Sequence, residues 1–191
     1  MRISTAEFVA IMAMLVATVA ISIDGLLPAL SIIAKELTPL RPNNAQIILS
    51  SFVAGMAIGT LIVGPLSDSY GRKPIIYGGA FIYILTSVVC VVSQSLELIL
   101  VARFLQGVGA SAPRVVAQAL VRDFYKGREM ARISSFIMIV FALVPAVAPL
   151  LGSFVMFAFD WRAIFFMLIA FVAISTIWMG LGINETISEE N

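Results

Sequence analysis

The sequence predicts an all-α membrane protein of six transmembrane helices, and three observations lead there. The chain of 191 residues is 61% hydrophobic and 12% charged, with a mean hydropathy of +1.06. Soluble domains hold about 45–50% apolar residues and about 25% charge, so lipid is the solvent for most of this chain. Six apolar runs approach or exceed the roughly 20 residues that cross a ~30 Å hydrocarbon core at 1.5 Å per residue. None of them shows the alternating polarity over about ten residues that a barrel strand requires.

In chain order the predicted spans are Glu7 to Leu30, Ala45 to Leu66, Ile75 to Val92, Leu96 to Val121, Ile133 to Phe157 and Arg162 to Ile183. The first follows Arg2 but is too long for the apolar region of a signal peptide, and no small-residue cleavage site ends it. It is read as a retained span. The second carries Gly55 and Gly59 at G-x-x-x-G spacing, which lets helices approach closely. The third contains Cys90, the one cysteine. The fourth is thinned by Gly107, Gly109, Ala110, Ser111 and Ala112, and the fifth carries Pro145 and Pro149. Two prolines four apart remove two backbone donors and favour a bend, either a hinge or a tolerated kink. Residues 1–183 form the six-helix bundle in this reading, and 184–191 a polar, acidic, flexible cytoplasmic tail.

Between the second and third spans lies a tight polar gap from Gly64 to Pro74, holding Asp68, Gly71, Arg72 and Lys73. It reads as a hairpin at the membrane surface. Lys and Arg in short loops set orientation. The N-terminus with the second and fourth loops carries Arg2, Arg72, Lys73, Arg122, Lys126, Arg128 and Arg132, against Lys35, Arg41 and Arg162 elsewhere. Both termini are therefore expected in the cytoplasm of a multi-pass protein of the cell (inner) membrane.

Several function classes are excluded. A net charge of +1 gives no basic face for nucleic acid. With one cysteine and no histidine, disulfide frameworks, multi-cysteine metal sites and histidine triads are absent. No paired-acid or zinc-ligand constellation lies within the spans, so no enzyme and no cofactor is expected.

Ionisable side chains inside a span cost about 2.5–3.5 kcal/mol each and are functional candidates by default. Asp24, Arg103 and Arg114 stand out. Asp24 and Arg103 are placed at similar depth from the same membrane face, which allows a pair between them. Arg114 follows Arg103 by three helical turns on nearly the same face, with Gln106 between. The alternatives are snorkelling of either arginine to an interface and, for Asp24, capping of backbone freed by Pro28 or a boundary position if the first helix ends early. Desolvation and a neighbouring guanidinium act on a buried acid in opposite senses. That competition is what proton coupling requires, so Asp24 is the leading proton carrier.

On these residues the chain resembles the N-terminal half of a major facilitator superfamily transporter, and within it the Bcr/CflA-type drug:proton antiporters. Gly64, Asp68, Gly71, Arg72 and Lys73 match the signature loop, with Ser69 replacing a usual basic residue. Arg103 to Ala110 resembles the helix-four motif of proton-driven exporters, whose arginine is linked to proton transfer. Ala142 to Gly152, with Pro145 and Pro149, is similar to the antiporter motif of helix five; alanine replaces its first glycine, and Ser153 its last. Asp24 with Pro28, Asp160-Trp161-Arg162, and Arg122-Asp123 with Glu129 to Arg132 fall on further matching positions.

The resemblance implies one half of a two-half fold, itself two inverted three-helix repeats. It implies that the signature loop fastens helix two to helix eleven of the other half. It implies export of small apolar or amphipathic compounds by proton antiport with alternating access. Asp24 and Arg103 would couple the proton, and Gln106 and Arg114 would line the substrate cavity. Gly64, Asp68, Gly71, Arg72 and Lys73 would form the conformational loop; Pro145, Pro149 and Gly152 the hinge. A half alone would leave Asp24 and Arg103 on an uncovered face, so a homodimer or a C-terminal-half partner is expected alongside the small-molecule substrate, protons and the bilayer. The other reading is a non-transporting membrane scaffold or a truncated remnant of a full-length transporter.

Overall fold

The computed structural model describes residues 4–183. Arg2 of the charge count and the tail 184–191 lie outside the described residues. Six helical segments are long and apolar enough to cross a membrane: Thr5–Leu37, Asn43–Tyr70, Arg72–Val92, Leu96–Phe124, Gly127–Ala158 and Ala163–Gly182. No strand occurs among the described residues.

The first span is not one helix. It comprises α1 (Thr5–Asp24), a 3₁₀ turn (Leu27–Ala29) and α2 (Leu30–Leu37). Ser4 caps the start of α1 by accepting the Glu7 amide at 3.2 Å, as N-cap serines do. The helix stops just ahead of Pro28, whose ring cannot continue an α-helical ladder. The expected uninterrupted run to Leu30 is thus corrected, and Asp24 becomes the last residue of α1.

The polar gap is corrected as well. Helix α3 (Ile47–Tyr70) continues through Gly64, Pro65 and Asp68, and α4 (Arg72–Val92) begins two residues later. Gly71 alone makes the elbow, at φ 96°, a conformation costly for any side chain bearing a Cβ. Apolarity locates where a chain leaves lipid; it does not locate where a helix ends, and α3 carries its last polar turns beyond the apolar run.

Helix α5 (Leu96–Phe124) lies between α3 and α4, and its small residues permit this. A Cβ on Gly107 would run into the Phe52 carbonyl, and one on Gly55 into that of Phe104. On the other flank a Cβ on Gly109 would come within 2.7 Å of the Gly79 carbonyl oxygen. Backbones in contact maximise dispersion where lipid removes the hydrophobic drive between helices. Helix α1 is the most enclosed element, packed against α5, α6 (Gly127–Ala158) and α7 (Ala163–Gly182). Helix α6 runs unbroken through Pro145 and Pro149 and buries only Ile133, Ile137, Ala148 and Gly152. The buried apolar residues form two clusters, one around Phe52, Tyr83 and Trp161, the other around Phe8, Ile76 and Leu120.

Candidate functional site

The break in the first span leaves α1 with free terminal carbonyls, as every helix end does. The Gly25 amide donates to the Ile21 carbonyl and the Leu26 amide to that of Ile23. The Ser22 carbonyl receives the Arg103 guanidinium from α5, Nη2 to O at 2.9 Å. Arg103 is therefore a cap supplied by another helix, its cation placed where the α1 dipole is negative. Its Nη1 donates to Gln106 Oε1 at 2.7 Å, and Gln106 Nε2 donates to Ser87 Oγ at 2.5 Å. Ser87 donates to the Tyr83 carbonyl, and the Tyr83 hydroxyl shares a hydrogen bond with Ser22 Oγ. Phe52 of α3 offers its ring to the guanidinium, 4.4 Å from centroid to Cζ. This connected network spans four helices, and Arg103, Gln106, Ser22 and Ser87 are 0% exposed. Arg103 Nε is the one buried side-chain polar atom left without a partner among the described residues.

The expected Asp24–Arg103 pair is not formed. Asp24 is half-buried with no side-chain partner among the described residues. The reason is the break itself: it stops α1 at Asp24 and presents a backbone carbonyl, not the carboxylate, to Arg103. Of the two residues expected on an uncovered face, Arg103 is instead enclosed by this bundle's own helices, as is its neighbour Gln106, while Asp24 is half-buried. Arg114 stays outside the network, half-buried, with Nη1 3.5 Å from Met56 Sδ. On α6 a Cβ on Gly152 would strike the Gly25 backbone, so α6 touches the first span at its break.

Each end of the bundle has its own polar clasp. At the elbow, Arg72 joins Asp68 at 2.5 Å, Ser67 Oγ at 2.8 Å and Asp123 of α5 at 3.0 Å. Lys73 Nζ donates to the Gly180 carbonyl of α7 at 3.0 Å. The signature loop is thus fastened within this chain, whatever it meets beyond. At the opposite end Glu36 of α2 accepts from Trp161 Nε1 and Arg162 Nη2, both at 2.7 Å, and Arg162 stacks over the Trp161 ring at 4.1 Å. Glu36 is 40% and Arg162 25% exposed at the side chain. Solvent screening holds such a pair to less than about 1 kcal/mol. Glu36→Gln is accordingly expected to lower the melting temperature by only a few degrees in detergent, checked by tryptophan-fluorescence melting.

Sequence reasoning found Arg103 and Gln106 but missed Ser22, Tyr83, Ser87 and Glu36. For Ser22, Tyr83 and Ser87 the only available signal was hydroxyl groups within otherwise apolar runs, which are common and, for serine, also bond to their own helix.

The family model of the Major Facilitator Superfamily matches residues 10–188. The chain belongs to the major facilitator superfamily. It is 37% identical over 169 residues to a bicyclomycin resistance protein homolog of Haemophilus influenzae, covering 88% of this chain and 42% of that protein. It is 37% identical over 161 residues to the multidrug resistance protein MdtL of Escherichia coli O157:H7, covering 83% and 40%. The chain thus spans about two fifths of the length of these curated relatives. The fold agrees with the crystal structure of the human organic anion transporter MFSD10, with a TM-score of 0.75 and 17% identity over 97% of this chain and 49% of that one. As a major facilitator chain it is a multi-pass membrane protein, with the architecture of one half of that fold.

Proposed function

We propose that this chain is the proton-coupling half of an exporter of small apolar or amphipathic compounds, working by alternating access with a second six-helix half. The half could be a second copy or a C-terminal-half partner. One observation carries the reading: the half-buried carboxylate of Asp24, without a side-chain partner among the described residues, sits at the break of the first span. Arg103 holds the backbone two residues before it, and Gly152 of the hinge motif abuts Gly25 immediately after it. Gain or loss of a proton at Asp24 would change the charge at that junction and bias how α1 meets α6. The prolines of α6 would let that helix follow. Arg103 acts as the anchor of the junction, Arg114 lines the substrate path, and Gln106 reaches it only when the buried network opens. The names of the bicyclomycin and multidrug resistance relatives support export of drug-like small molecules. The excess of cations at the elbow end supports cytoplasmic termini in an inner membrane.

The test is efflux driven by a pH gradient in proteoliposomes. Asp24→Asn is expected to abolish dependence on the gradient while downhill substrate exchange persists. Gradient-driven efflux unchanged in Asp24→Asn rejects Asp24 as the proton carrier.

A further inference from the structure

Helix α6 exposes two different faces. At 100° per residue, Ser135, Ala142, Ala146 and Ser153 fall on one side, while Phe136, Leu143, Val147 and Phe154 fall on another. All eight are exposed. On the bulky side, a groove of about 620 Å³ runs between the first turns of α1 and α6, its floor made by Ala6, Val9, Ile133, Phe136, Ile139 and Val140. Glu129 and Arg132 line this groove and, with Arg128, also line a polar recess at its mouth. The Arg132 guanidinium lies over the Phe136 ring, 5.7 Å from its centroid.

We infer that this groove is a binding site for one anionic phospholipid, with the headgroup phosphate on Arg128 and Arg132 and an acyl chain along the apolar floor. Charge complementarity selects the occupant. The recess carries two cations and one acid, and Arg122 and Lys126 flank it in sequence. None of these four cations is in an ion pair among the described residues. Guanidinium groups match phosphate geometry, and basic clusters at a membrane surface recognise acidic lipids. The depth also fits, since the recess opens at the end of a membrane-crossing helix and the groove descends along it. The small-residue face of α6 remains available for another half. The site is therefore independent of the transport reading.

The experiment is native mass spectrometry of the purified full chain in maltoside micelles, titrated with dioleoylphosphatidylglycerol or dioleoylphosphatidylcholine. The expected result is preferential retention of phosphatidylglycerol. Arg128→Gln with Arg132→Gln should weaken it about thirtyfold, from the contribution of two surface cations. The charge-matched pair Arg122→Gln with Lys126→Gln should have a much smaller effect. Ile139→Trp fills the groove without changing charge and should weaken retention too, with Val9→Trp as the second filling variant. Equal losses for the two charge pairs, or no loss in either filling variant, would show diffuse surface attraction and overturn the site. Competition by soluble glycerol phosphate at equal concentration would overturn the acyl contact. A dimer that the filling variants dissociate would assign the groove to a second copy instead.

Discussion

Replacing Arg103 by Met is expected to cost more than any other single change of a polar side chain in this protein. The substitution keeps the length of the side chain and removes the guanidinium. It leaves the Ser22 carbonyl and Gln106 Oε1 without their donors in an interior where water does not substitute. Hydrogen bonds to charged groups contribute about 1.5–3 kcal/mol each in proteins, and unmet buried groups cost a similar amount. Within membranes the average is lower. Two such bonds still place the loss at several kcal/mol, which means a marked fall in folded yield. Arg103→Lys separates charge from geometry. A single ammonium keeps the cation but not the planar fork that reaches α1 and Gln106 together. If Arg103 is an anchor, Lys restores little of the melting temperature. Full recovery in Arg103→Lys would instead make charge the essential property.

The second large effect is steric. Gly107→Val is expected to prevent tight seating of α5 on α3, because its Cβ would collide with the Phe52 carbonyl and has no flexible neighbour to displace. Overpacking typically costs 1–3 kcal/mol and more when backbone must move, and here two whole helices must separate. Gly78→Ala in α4 provides the contrast, since nothing lies within 4 Å of the Cβ it would add. Size-exclusion profiles and thermal melts of the two variants should differ sharply. A monodisperse Gly107→Val with unchanged melting would contradict the backbone contact.

These two residues also show what the sequence could reveal. Arg103 and Gly107 were legible because each breaks a local rule, a charge in lipid and glycines in a helix. The six spans were legible because bilayer thickness imposes a length that few other structures need. Partners were not legible. Asp24 and Arg103 share a depth, but their relation depends on where α1 ends, and Pro28 moves that end in a way apolarity does not register. Ser22, Tyr83 and Ser87 are ordinary residues individually, and only packing joins them. The Gly64–Lys73 segment declared its family through residue types, while its helical conformation to Tyr70 was masked by its polarity.

The enclosure of Arg103 bears on biogenesis. A nascent chain enters the membrane in order, and its early helices wait in lipid while later ones are made. Had the guanidinium needed a carboxylate from a second half, the first six helices would carry an exposed cation during that interval. Here its contacts come from α1, α3 and its own helix, with Gln106 steadied by α4. The last of these elements, α5, is complete before α6 and α7 emerge. The groups that hold the cation are therefore all in the membrane once α5 is complete, before α6 and α7 join α1.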